Sequence, residues 1–222
     1  PAEPGHIAVV AVSPGPGIAR IFASLGAAAI VEGGQTMNPS TQEILAAFEN
    51  LPTDKIVVLP NNKNIILSAQ ASAELTVKEV SVIPSRTIPQ GLSAMLRLIP
   101  DGDFETIVSE MNTALEEVQS GEITTATRNV EIDGVLCQEG QIIGLLNGKL
   151  VTSSPHLKET TLSLLEAANT QDYDLIALYY GENIAKQEVN HIADEIRSAY
   201  PDLEFEVHEG GQPHYQFIIA IE

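Results

Sequence analysis

The 222-residue sequence predicts an α/β fold of two lobes: a parallel βαβ lobe over residues 1–101, then a mixed, partly antiparallel α/β lobe over 102–222. Three observations predict it. In the first half, short apolar runs alternate with segments of helical periodicity, the pattern of βαβ units around a buried parallel sheet. In the second half, short strand-like runs are separated by the turn dipeptides Asp133-Gly134, Glu139-Gly140 and Asn147-Gly148. Hydrophobic residues make up 44% of the chain, enough for a real core and too many for a disordered one.

The elements follow in order. "IAVVAV" (7–12) reads as a strand that ends in "SPGPG", and the helix after it places Ile18, Ile21, Phe22 and Leu25 on one face. "AAAIV" (27–31) is the second strand, and Ile44, Leu45 and Phe48 mark the second helix. Asn38-Pro39 suits an N-cap and N1 pair, while Ser40 and Glu43 fit a capping box. "KIVVLP" (55–60) and "KEVSVIP" (78–84) are the third and fourth strands, with a helix to Leu75 between them. A fourth helix turns Leu92, Met95, Leu96 and Ile99 inward. Right-handed crossovers put helices on both faces of this sheet.

Residues 103–119 read as one long helix bridging the lobes, ended by Gly121. Beyond it, Asn147-Gly148 between "IIGLL" and "KLV" is the strongest hairpin signal in the chain. A helix over 157–168, a strand over 174–180 and a helix burying Ile184, Val189, Ile192 and Ile196 come next. The chain closes with two strands joined by a Gly-Gly-Gln-Pro hairpin turn.

Charge narrows the function. The net charge is −19. Residues 1–101 hold eight acidic and six basic side chains, whereas 102–222 hold 22 and five. Phosphate backbones would be repelled, which excludes nucleic acid, and an anionic membrane surface is excluded likewise. A partner with a basic face would be steered in. No apolar run reaches a membrane span, and no signal peptide is visible. The single cysteine, Cys137, excludes a disulfide framework and reads as a small buried hydrophobe. These features fit a cytoplasmic protein. Pro1 in place of Met reads as a fragment of a longer or processed chain.

In an open parallel sheet, ligands bind beyond the carboxyl ends of the strands. Four loops lie there: 13–17, 32–41, 60–64 and 84–91. Together they offer Ser13, Gly15, Gly33, Gly34, Gln35, Thr36, Asn38, Asn61, Asn62, Lys63, Asn64, Ser85, Arg86, Thr87 and Gln90 as candidate ligand-binding residues. The chemistry on offer is hydrogen bonding. Apart from Glu32 these loops hold no Asp, Glu, His or Cys. That argues against a metal cage and against a general base, so neither a catalytic residue nor a cofactor is expected. A polar head group or small anion would suit the helix N-termini with Lys63 and Arg86; plain helix capping is the competing reading. Elsewhere, His208 and His214 flank the last turn near Glu206 and Glu209, but their spacing matches no strong metal motif.

The segments "GGQTMNPST", "LPNNKNI", "VIPSRTIPQGLSAM" and "GGQPHYQFIIAIE" together resemble the C-terminal domain of bacterial FakA-type fatty acid kinase proteins, also described as DAK2-domain or dihydroxyacetone-kinase-like proteins. The resemblance runs from about Ile7 to Glu222. It implies a two-lobed DegV/FakB-like (EDD) fold, and an N-terminal kinase domain and a middle domain preceding this chain. DegV-like proteins carry Asp-Ser after the first strand, Thr-Ser-Gln-Pro-Ser after the second and Ser-Gly-Thr-Tyr after the third. The matching places here are "SPGPG", "GGQTMNPST" and "NNKNI", without the Asp and without the third loop's hydroxyls. The resemblance therefore implies a noncatalytic domain that docks an acyl-carrying FakB/DegV-type protein. A lipid or small-anion module with a head-group site at the strand-end loops is the alternative.

Overall fold

The computed structural model describes residues 2–34 and 37–222. The chain divides into two compact units, the first running to Val118 and the second from Gln119 to Glu222.

The first unit is built on four parallel strands, β1 (Ile7–Ser13), β2 (Ala29–Glu32), β3 (Lys55–Leu59) and β4 (Glu79–Val82). Their order is β2-β1-β3-β4. β1 is buried along its whole length, as an apolar strand between two neighbours and two helical layers must be. Helices α1 (Pro16–Ser24), α2 (Thr41–Glu49) and α3 (Ile66–Glu74) make the crossovers. Ile44 and Phe48 of α2, with Ile65 and Ala69, pack against Ala8, Val10, Val12, Ile56 and Val58 on one face. The reversal of direction at β1 places α1 on the other face, where Ile18 and Phe22 are fully buried. Helices α4 (Ile88–Met95) and α5 (Phe104–Ala114) complete the unit.

Several details depart from the sequence reading. The capping box forms at Ser40 and Glu43, so Asn38-Pro39 stands before the helix rather than starting it. α4 stops at Met95, and Leu96 and Ile99, expected inside, are exposed. The long bridging helix is shorter: α5 ends at Ala114 and belongs to the first unit. Asn112 and Thr113 hydrogen-bond back to the carbonyls of Val108 and Ser109. The chain then tightens into i→i−3 bonds over Leu115, Glu116 and Glu117. Leu115 and Val118 are still buried, so the apolar periodicity located the inward residues and overstated the helix.

The second unit is a six-stranded mixed sheet in the order β11-β10-β12-β5-β8-β9. Its strands are β5 (Gln119–Thr125), β8 (Ile142–Leu146), β9 (Lys149–Ser154), β10 (Leu175–Tyr180), β11 (Glu204–Glu209) and β12 (Tyr215–Ile221). A small separate hairpin of β6 (Val130–Ile132) and β7 (Val135–Cys137) ends in the buried Cys137, which clusters with Ala126 and Leu150. The β8–β9 turn is Asn147-Gly148, both at positive φ, as the hairpin signal requires. Helices α6 (Leu157–Ala167) and α7 (Lys186–Ala199) supply Leu164, Leu165, Val189, Ile192 and Ile196 to the core over β10 and β12. Ile184 precedes α7 and packs against that core from the loop.

Two expectations fail here for clear reasons. Gly121 does not end a helix. It lies in β5, paired with Ile219 and Leu146, where an added Cβ would sit 2.7 Å from Leu164 Cδ2. The last two strands also form no hairpin. β10 lies between them, parallel to β11 and antiparallel to β12. β10 is apolar on both sides and buried from Ile176 to Tyr180, so it takes a central place and needs both as neighbours.

Candidate functional site

In the order β2-β1-β3-β4, the chain leaves β1 toward one side and β3 toward the other. The crevice between the carboxyl ends of β1 and β3 is therefore the switch point at which open α/β sheets place their ligands. All four candidate loops gather at this edge, because the four strands are parallel.

Asn61 occupies the crevice. It is buried at positive φ (57°), a conformation that Asn tolerates better than most side chains. Its Nδ2 donates to the Val12 carbonyl at 2.9 Å, joining the ends of β3 and β1. Its backbone N–H donates to Ser85 Oγ at 2.9 Å, and that hydroxyl donates in turn to Asn61 Oδ1 at 2.7 Å. Ser85, just beyond β4, is fully buried. Gly91 of α4 packs against the same amide, where an added Cβ would lie 2.0 Å from Asn61 Oδ1. This side chain thus ties three strand ends and one helix together.

A second brace lies beside it. Gln90 Oε1 accepts the Arg86 N–H at 2.7 Å, and Gln90 Nε2 donates to the Leu115 carbonyl at 3.2 Å. Thr87 caps α4 by accepting the Gln90 N–H. Asn62 Oδ1 accepts the Asn64 N–H in a local turn. The Ser13 hydroxyl donates to the Gly15 carbonyl, and Gly15 is the N-cap of α1 without a side-chain cap. Gly33 and Gly34 have positive φ, and a Cβ on Gly33 would meet Pro39 Cδ at 2.7 Å. Asn38 is exposed beside them. Gln35 and Thr36 lie outside the described residues.

Two cations face outward at this edge. Lys63 and Arg86 are exposed and enter no ion pair among the described residues. The four loops thus carry two exposed basic side chains against one exposed acidic one, Glu32, on a chain of net charge −19. Sequence reasoning found the loops and the cations but missed Gly91 and the carbonyls of Val12 and Leu115. Gly91 carried a usable signal: a glycine inside a helical pattern usually marks close packing.

In the second unit, His208 Nε2 lies 3.1 Å from Glu206 Oε2, and its ring stacks on Tyr179 at 5.2 Å. Burial, with Glu206 and Glu222 nearby, pushes the Tyr179 phenol far above its ordinary range. Burial, with Glu122 nearby, pushes the Tyr215 phenol up to about 12. Among the described residues no group of three or more His, Cys, Asp or Glu side chains is placed to hold a metal ion. None of their helices is long and apolar enough to cross a membrane.

The loops and fold have known counterparts. A Staphylococcus epidermidis protein is 41% identical over 215 residues, covering 97% of this chain and 39% of its own length. YloV of Bacillus subtilis is 37% identical over 214 residues, covering 96% of this chain and 39% of its own length. The chain thus spans about two fifths of these relatives. Among solved structures, a DegV family protein from Corynebacterium glutamicum has a TM-score of 0.70 at 15% identity, over 97% of this chain and 95% of that one. The Streptococcus pneumoniae fatty acid kinase B3 protein, loaded with linoleic acid, has a TM-score of 0.65 at 13% identity, over 97% of this chain and 99% of that one. At such identities the likeness shows the fold, which is DegV-like. The family of FakA-like fatty acid kinase C-terminal domains matches residues 8–222, and the chain belongs to that family.

Proposed function

We propose that this chain is the noncatalytic C-terminal domain of a bacterial fatty acid kinase. It docks an acyl-carrying protein of the FakB/DegV type, so that a kinase domain elsewhere in the longer protein phosphorylates the acyl group. The observation that carries this reading is the Asn61–Ser85–Val12 network at the switch point. Asn61 and Ser85, two of the groups that would hold a ligand head group, are engaged with each other and with the Val12 carbonyl. The rim they brace presents Lys63 and Arg86 outward, as a recognition surface does.

The test is binding between this chain and an acyl-loaded FakB-type protein, by co-elution and calorimetry at low and high salt. Complex formation that weakens with salt is expected. No binding at low salt, with both proteins folded, would sink the proposal.

One observation favours a second reading, a head-group site at the same edge. The N-termini of α1 and α3 carry no side-chain cap. Their first-turn N–H groups suit an anion. Native mass spectrometry decides: a bound fatty acid or acyl phosphate supports this reading, and a clean apo mass with no thermal shift from either ligand rejects it.

A further inference from the structure

The two larger sheets end in four edge strands, and these are defended unequally. β2 and β4 are each four residues long. β9 begins on Lys149, pairs with β8 through an irregular register, and places Leu150 in the cluster with Cys137 of the β6–β7 hairpin. Short length, an edge lysine, irregular pairing and a covering element are the usual ways in which an open edge is blunted. β11 has no lysine, no proline and no irregularity. It runs six residues, "EFEVHE", in unbroken parallel register with β10, and among the described residues no strand pairs with its outer side.

The ladder to β10 fixes which backbone groups of β11 are free. The Glu204 N–H donates to the Asp174 carbonyl at 2.9 Å, and the Gly210 N–H donates to the Tyr180 carbonyl at 3.0 Å. In a parallel pair, alternate residues turn both their N–H and their C=O toward the neighbour. Glu204, Glu206 and His208 therefore face β10, and the N–H and C=O groups of Phe205, Val207 and Glu209 point outward. The row is held from both sides. The Phe205 and Val207 side chains pack against the core beneath the helices. On the other face, His208 stacks on Tyr179 and lies 3.1 Å from Glu206.

We propose that β11 accepts a further strand from a partner protein, an extended segment in which Lys or Arg alternates with aliphatic residues. Both halves of that pattern follow from the side chains beside the free groups. Glu204 and Glu206 are exposed on one face, Glu209 is exposed at the end, and the strand itself has no Lys or Arg. Opposite charges across a strand pair stabilise it, and like charges oppose it. On the helix side, Phe205 and Val207 are only half-buried, so an added strand would cover them with its aliphatic side chains. Arg197, 5.0 Å from the Phe205 ring, is already paired with Asp194. A second copy fits worse: it would bring three more carboxylates to the seam, from a chain whose net charge is also −19. The proposal concerns the second unit alone and is independent of docking at the strand-end loops of the first.

Amide hydrogen exchange with a synthetic strand tests it, using acetylated and amidated Lys-Val-Lys-Val-Lys-Val at low salt. Millimolar peptide is expected to slow exchange of the Phe205, Val207 and Glu209 amides at least about fivefold, with those of Glu204, Glu206 and His208 changing less. The same peptide with proline in place of valine carries equal charge and cannot complete the pairing, so it should protect none of them. Val207→Pro removes only an outward N–H, which an edge strand tolerates, and should abolish the protection with little change in melting temperature. Equal protection by the proline peptide would reduce the effect to general charge attraction and overturn the proposal. So would protection that develops in the chain alone as its concentration rises, which would assign the edge to a second copy. No protection at millimolar peptide, with the chain folded, would overturn it as well.

Discussion

The Ser85 hydroxyl both accepts the Asn61 N–H, at 2.9 Å, and donates to Asn61 Oδ1, at 2.7 Å. One buried hydroxyl therefore satisfies two groups of one residue across 24 positions of sequence. Ser85→Ala removes both bonds and leaves a buried N–H and a buried amide oxygen without a partner. Each such group costs about 1–3 kcal/mol. The expected loss is about 2–4 kcal/mol in urea unfolding of the first unit. A change below about 0.5 kcal/mol would show that water replaces the hydroxyl and that the crevice is open.

Gly91 faces the same amide. A methyl group there would lie 2.0 Å from Asn61 Oδ1, and that amide is held by Val12 and Ser85. Gly91→Ala is expected to destabilise by about 2–4 kcal/mol, although alanine favours a helix in isolation. Asn61→Gly keeps the positive φ and removes the obstacle, so the double variant should lose less than the sum of the two single ones. Additive losses would reject the contact.

The parallel sheet was legible because its strands are short, apolar and separated by loops rich in Gly, Pro and Asn. The edge that carries the candidate site was legible as a place, since parallel strands gather their carboxyl-end loops. Its internal bonds were not, because Asn61 and Ser85 look the same in sequence whether they hold a ligand or each other. Local signals differ in the same way. Asn147-Gly148 is a turn because its own backbone demands it, with φ of 52° and 84°. Gly121 has no positive φ, and only the Leu164 side chain from α6 explains it. Two variants separate these cases. Gly121→Ala is expected to cost about 1–3 kcal/mol by overpacking, and trimming Leu164 in the same molecule should recover part of it. Gly148→Ala should cost about 1 kcal/mol through strain, with no partner to rescue it, because nothing lies within 4 Å of its Cβ position. Thermal melting of the single and double variants checks both.

Two phenols, buried Tyr179 and half-buried Tyr215, are expected to lower the stability of the second unit at alkaline pH. Tyr215 is raised from 10.0 to about 12, chiefly by burial and then by Glu122, and Tyr179 is raised further. The unfolded chain releases these protons near pH 10, while the folded chain keeps them. Their contribution is therefore complete below pH 10 and is lost as pH rises through the folded values. The expected slope is about 1.4 kcal/mol per pH unit for each group that only the unfolded chain has ionised. Tyr215→Phe should flatten the fall in urea midpoint between pH 10 and pH 11.5, with little change at pH 8. An unchanged slope in Tyr215→Phe and Tyr179→Phe together would assign the alkaline loss to other groups.

Lys63 and Arg86 give the docking reading its sharpest handle. Both are exposed, and neither enters an ion pair among the described residues, so reversing their charge should leave the fold intact. Exposed surface charges away from structural features change stability by about 0.5 kcal/mol or less. If the carboxyl edge meets the acyl-carrying partner, Lys63→Glu with Arg86→Glu should weaken binding about tenfold or more at low salt, mainly through slower association. The effect should shrink as salt screens both proteins. Stopped-flow or surface-based association rates against ionic strength measure it. Unchanged association in a variant with an unchanged melting temperature would place the docking face away from this edge. The acidic surface of the second unit, which holds 17 carboxylates against five basic residues over 119–222, would then be the next to reverse.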